Sequence, residues 1–150
     1  MLDKLKNLFT ETIDEGTAPQ SDALHIAAAA LLVRAAQIDG HMDEGEETLL
    51  ARLVGPHFAL DDEAAATLID EAKQAIDDAS DLFQFTARIN AHFSEGHKIM
   101  LMELLWQIVL SDGVVDDYEA NLLRRVAGLI YVTDQQAGQA RKTAEAKLNS

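Results

Sequence analysis

The stretch Asp112-Gly113-Val114-Val115-Asp116-Asp117-Tyr118-Glu119 decides how this chain is read. It has a twin, Asp39-Gly40-His41-Met42-Asp43-Glu44-Gly45-Glu46, lying 73 positions upstream. Both follow the pattern Asp-Gly-x-x-Asp-acid-x-Glu. The register continues on either side. Leu31 and Leu32 fall on Leu104 and Leu105, Leu49 and Leu50 on Leu122 and Leu123, Arg52 on Arg125, Gly55 on Gly128 and Asp61 on Asp134. In each copy an apolar run leads into the acidic stretch and a second periodic run leaves it. The period is longer than that of most solenoid repeats, and two copies imply a helix–loop–helix unit duplicated and folded back on itself.

Outward from these stretches, the periodicity is helical throughout. Ser21 or Asp22 can cap a helix to about Ile38, nearly all apolar from Ile26 onward, so it is expected to be buried on most sides. The next helix runs from about Glu44 to Val54 and is expected to stop at Gly55-Pro56. Asp61 or Asp62 caps a helix to Asp78, with Ala65, Leu68, Ile69, Ala72 and Ile76 on its apolar face. Asp81 opens another to His92, with Phe85, Ile89 and Phe93 inward. Ser94 caps the longest apolar helix, to Leu110. A helix from Asp117 to Ile130 follows the second acidic stretch. Thr133, with Gln136 three residues on, forms a capping box for a last helix to Lys147. Strict alternation is absent, so strands are not expected. The fold class is all-α: a compact bundle of about seven helices built from two related halves, with the two apolar helices packed together. Residues 21–150 form the helical domain. Residues 1–20 form an N-terminal amphipathic helix (1–14, with Leu2, Leu5, Leu8 and Phe9 on one side) and a linker containing Pro19. A helix docked on the domain or frayed is the preferred reading, with a partner or membrane-surface anchor the alternative. Lys4 and Lys6 give only a weak signal for a membrane surface.

Composition narrows the function. The chain has 150 residues, with 26 acidic against 12 basic side chains and a formal net charge of −14. Such a surface repels nucleic acid and anionic membranes and favours cations or basic partners. There is no cysteine, which excludes disulfides, thiolate nucleophiles and Cys-ligated zinc. No apolar run is long enough to span a bilayer, and the N-terminus lacks the apolar core of a signal peptide. A soluble, cytoplasmic protein is expected.

The acidic stretches support two chemistries. Asp43 with Glu46, and Asp116 with Glu119, have the spacing of a capping box, and Gly40 and Gly113 suit the turn that ends a helix. Capping leaves Asp39 and Asp112 unexplained. Each stands at the C-terminal end of an apolar helix, where the helix dipole disfavours negative charge. A hard divalent cation would compensate, since calcium and magnesium take carboxylate and carbonyl oxygens. Its ligands would be Asp39, Asp43 and Glu46 in one copy, and Asp112, Asp116 and Glu119 in the other. The loops are not EF-hands, because the Asp-x-Asp-x-Asp-Gly run and the glutamate at position twelve are missing. Arg52 and Arg125, at equivalent places one to two turns into the following helices, offer salt bridges instead.

The paired pattern resembles the TerB family of tellurite-resistance proteins. Leu104-Leu105-Trp106-Gln107-Ile108-Val109-Leu110-Ser111-Asp112-Gly113 is similar to that family's second motif, and Ala30-Leu31-Leu32-Val33-Arg34-Ala35-Ala36-Gln37-Ile38-Asp39-Gly40 to its first. The resemblance covers residues 22–148. It implies a helical bundle of two related halves, a link to stress response and tellurite resistance, and divalent metal at the six acidic residues just named. Gly45 and Tyr118 occupy equivalent sites without chemical similarity, so the two loops need not be equivalent. An acidic surface should not bind the tellurite anion, so any part in resistance is indirect.

Nothing else in the sequence carries chemistry as well. His25, His41, His57, His92 and His97 include no i,i+4 pair, and only His41 lies in an acidic stretch. There is no phosphate-binding glycine loop and no nucleophile elbow. Trp106 and the methionines fit core packing. No catalytic residue is assigned. The expected function is a non-enzymatic module that binds divalent metal, calcium first and magnesium or manganese next, and presents a surface to a partner protein. A metal-independent interaction scaffold, its loops serving only as caps, is the alternative. A metal-dependent hydrolase is the least favoured, since it needs an open cleft and a metal with free coordination positions.

Overall fold

A computed structural model describes residues 18–37, 44–111, 115 and 117–149. Seven helices are formed among the described residues: α1 (Ala18–Ala36), α2 (Glu44–His57), α3 (Asp62–Asp78), α4 (Phe83–His92), α5 (Glu95–Leu110), α6 (Asp117–Leu129) and α7 (Asp134–Leu148). No strand occurs among them. The all-α bundle expected from periodicity is therefore the observed fold. The N-terminal helix expected over residues 1–14 lies outside the described residues.

Two helices form the centre, and their sequences explain why. In α1 the run from Ala27 to Val33 is completely buried, four consecutive alanines included. Alanine leaves no bulk on any side, so α3, α4 and α5 can all approach the α1 backbone. In α5 every residue from Met100 to Val109 is buried, Glu103 and Gln107 included. A helix apolar all round is stable only when surrounded. α1 and α5 pack on each other, α3 covers α1, and α7 covers α5. Leu31, Leu32, Leu104 and Leu105, the pairs equated by the 73-residue register, are all core residues. Each such leucine contributes about 1.5–3 kcal/mol relative to an exposed one.

The outer helices bury one stripe each. α3 buries Ala65, Leu68, Ile69 and Ala72, and α6 buries Leu122, Leu123, Val126 and Ala127. The starts of α3, α5 and α7 are set by the expected caps. Asp61 accepts from the Ala64 amide, Ser94 from the His97 amide, and Thr133 and Gln136 form the complete capping box. Asp81 accepts from the amide of Phe83, the first residue of α4.

Two boundaries differ clearly from expectation. α1 begins at Ala18 rather than at Ser21 or Asp22, which puts Pro19 in the first turn, where an absent amide N–H loses no helical bond. α2 does not stop at Gly55-Pro56 but runs on to His57. Arg52 and Pro56 are both exposed, so the carbonyl that loses its donor lies on the solvent face. The helix ends instead with Ala59 at φ 58°, where the Leu60 amide donates to the Gly55 carbonyl (2.8 Å) and the Ala59 amide to that of Pro56 (3.4 Å). This is a Schellman end made without glycine at the left-handed position. Gly55 has a different use: a Cβ there would lie 3.3 Å from the Leu60 carbonyl oxygen.

α6 ends in the same way, with Tyr131 at φ 63°, Val132 donating to Ala127 (2.8 Å) and Tyr131 to Gly128 (3.3 Å). The left-handed residues Ala59 and Tyr131 are thus 72 apart, as are the helix caps Asp61 and Thr133. The gapless register that set Asp61 on Asp134 slips by one residue here, because α2 is one residue longer than α6.

Candidate functional site

The six acidic residues divide by position. Asp39, Asp43, Asp112 and Asp116 lie outside the described residues. Glu46 is the third residue of α2 and Glu119 the third residue of α6. Their environments differ: Glu46 is half-buried, whereas Glu119 is only 3% exposed. Both are engaged with neighbouring groups. Third helical position is where the acid of a capping box stands, and it is equally a position from which a carboxylate can turn back toward the preceding loop. Among the described residues no three His, Asp or Glu side chains are grouped to hold a metal ion.

The flank of the first acidic stretch meets the end of the second. Arg34 stands in the last turn of α1, which leads into the first stretch. It donates to the Gln37 carbonyl (3.3 Å) and to the hydroxyl of Tyr118, the second residue of α6. Its guanidinium also lies 5.6 Å from the centre of the Tyr118 ring. The pair spans 84 residues of chain. Tyr118 is the position where the two acidic stretches differ chemically, with Gly45 as its counterpart, and that difference was the one trace of this contact in the sequence. Arg34 and Arg125 also line a common cleft of about 180 Å³ with Asp81 between α1, α6 and the α3–α4 link. Among the described residues neither Arg52 nor Arg125 forms an ion pair with a carboxylate. The pairs present are Lys73–Glu47 (3.1 Å) and Lys147–Glu103 (3.4 Å).

Elsewhere several polar residues are structural. Glu103, buried within α5, is met by Lys147 from α7. His57, at the end of α2, has its pKa lowered, first by burial and then by the Lys147 charge. His25 stacks on Phe58 with ring centres 5.1 Å apart. Trp106, Met100 and Met102 are core residues, as their helical spacing implied. No described helix is long and apolar enough to cross a membrane.

The fold and the junctions define a class: an all-helical module with two acidic helix–helix junctions whose flanks are drawn together at one place. The family model described as tellurite resistance protein TerB matches residues 25–142. The chain belongs to that family, as its paired motifs implied. No curated protein and no solved structure matches it.

Proposed function

We propose that the protein is a non-enzymatic, cytoplasmic module of tellurite or related stress resistance that responds to divalent metal. The metal, with calcium the first choice, binds Asp39, Asp43 and Glu46 at one junction and Asp112, Asp116 and Glu119 at the other. The two junctions descend from one duplicated unit, a reading supported by helices that end and begin alike in both halves. The observation that carries the proposal is the contact between Arg34 and Tyr118, which joins the flank of the first acidic stretch to a residue of the second. On this reading the carboxylates of the two stretches repel one another unless a cation intervenes. A bound divalent ion removes that repulsion and stiffens the ends of α1 and α6, and with them a surface available to a protein partner. Tellurite itself, an anion, is not the ligand of so acidic a chain.

A second reading has one observation in its favour. Glu46 and Glu119 occupy the third helical position that capping alone requires. In that case the module is a constitutive scaffold, and partner binding ignores chelators.

Thermal unfolding of chelator-stripped protein separates the two. Calcium, magnesium and manganese are added at fixed ionic strength to the wild type and to the double variant Asp39→Ala, Asp112→Ala. Ligand at about a hundred times its Kd adds roughly 2.7 kcal/mol. For a chain of this size that raises Tm by about 5–10 °C. A saturable, metal-selective rise that vanishes in the double variant supports the metal reading. An equal rise in both proteins, or none, removes it and leaves the caps as the whole role of the loops.

A further inference from the structure

The chain carries similar clefts in its two halves, and they have opposite electrical character. The α2–α3 cleft holds Glu47, Asp62 and Asp70 with Arg52. The α6–α7 cleft, about 200 Å³, holds Trp106, Leu123, Arg124, Asp134, Ala137 and Arg141. The Arg141 guanidinium lies 4.7 Å from the centre of the Trp106 ring. Arg124 bonds only the neutral Asn121 side chain, at 3.0 Å. Among the described residues neither arginine has a carboxylate partner, in a chain with 26 acids and 12 bases. Trp106, only 7% exposed, has its indole N–H buried with no acceptor among the described residues.

We propose that this cleft binds a monocarboxylate with a short apolar stem. Two guanidinium charges against the single carboxylate of Asp134 leave one positive charge, which suits a monoanion better than a doubly charged phosphate. Guanidinium groups recognise a carboxylate through paired N–H donors. Leu123, Ala137 and the indole supply apolar contact for the stem. The features are specific to this half. Allowing for the one-residue slip, Val33, Ala51 and Ile69 stand in the first half where the second has Trp106, Arg124 and Arg141. The carboxylate belongs either to a free small acid or to a glutamate side chain of a protein segment, and the shared chemistry is the same.

Trp106 is the only tryptophan, so its emission reports on the cleft directly. The full chain is titrated with butyrate, with the peptide acetyl-Leu-Glu-Leu-amide, with phosphate, and with sodium chloride at matched ionic strength. The expected result is a saturable emission change with butyrate or the peptide, half-complete on the order of millimolar. It weakens at least tenfold in Arg124→Gln and in Arg141→Gln, and is unaltered in Arg52→Gln in the opposite cleft. Circular dichroism melts check that each variant is folded. Response to the peptide alone assigns the site to a protein segment, and response to butyrate alone to a free acid. The proposal is overturned by no saturable change with either probe through tens of millimolar, by the same change with chloride, by phosphate binding as tightly, or by unchanged titrations in both arginine variants.

Discussion

The contact between Arg34 and Tyr118 makes a quantitative claim about how the two junctions are held. A charge-assisted hydrogen bond is worth about 1.5–3 kcal/mol when water is excluded. Tyr118 is 48% exposed and Arg34 half-buried, so water competes for both partners, and about 1 kcal/mol is the reasonable share for the hydroxyl. The cation–ring contact at an exposed site adds about 0.5–1 kcal/mol. Tyr118→Phe deletes the first term and keeps the second, whereas Tyr118→Ala deletes both. A double-mutant cycle with Arg34→Gln, read from urea unfolding, should therefore give a coupling of about 1 kcal/mol for the Phe pair and about 1.5–2 kcal/mol for the Ala pair. At about 2–4 °C per kcal/mol, the Phe coupling is also visible in Tm. Couplings indistinguishable from zero in both cycles would refute the claim that this contact draws the end of α1 to the start of α6, and with it the main support for the metal proposal.

Two further outcomes follow from the local chemistry. Thr133→Ala removes the hydroxyl that accepts from the Gln136 amide and should cost about 1 kcal/mol in urea unfolding, while Thr133→Ser should cost far less; equal losses would mean that the capping box does not set the start of α7. His57 has a folded-state pKa below the ordinary 6.5, so the unfolded chain binds more protons between those two values. Stability should accordingly fall as pH drops from about 6.5 toward the folded pKa and level off below it, and the fall should be reduced in His57→Gln. A pH–stability curve identical in the wild type and the variant would remove His57 as a contributor.

What the sequence made legible was whatever depends on nearby residues. The apolar runs from Ile26 to Ile38 and from Ile99 to Leu110 could only be central helices, since no single face would hide them. The caps at Asp61, Ser94 and Thr133 act over three residues and were readable as such. Gly55-Pro56 misled, because a proline stops a helix only when the lost bond and the ring clash outweigh continued packing, and Leu50, Val54 and Gly55 are buried on the opposite side. The slip in register was hidden for a related reason: it follows from the length of α2, which tertiary packing decides. Arg34 with Tyr118 and Glu103 with Lys147 were illegible because each joins residues more than 40 positions apart. Glu103 left a faint signal, a lone acid in a run whose one other polar residue is Gln107, but nothing local named the lysine that meets it.

The charge inventory at the junctions is what makes the metal question sharp. Arg34 and Arg125 are the two guanidiniums that line the cleft beside the joined flanks. Arg125 is exposed and Arg34 already serves the Gln37 carbonyl and the Tyr118 hydroxyl. The two motifs carry six carboxylates in sequence, and Glu44 and Asp117 add two more in the first turns of α2 and α6. The first-turn acids are favoured by the helix dipole, but Asp39 and Asp112 follow helix C-termini and are not. Two guanidiniums are fewer than eight carboxylates, and on the metal reading a divalent cation makes up the difference. Monovalent salt could screen it, but screening is unselective among cations of equal charge and acts through ionic strength alone. A carboxylate site discriminates by ion size and by the number of oxygens it can gather, and calcium and magnesium differ in both. A stability difference between calcium and magnesium at one ionic strength therefore requires a bound ion. Identical curves for the two would mean that diffuse screening is sufficient for the folded chain to tolerate its acidic junctions.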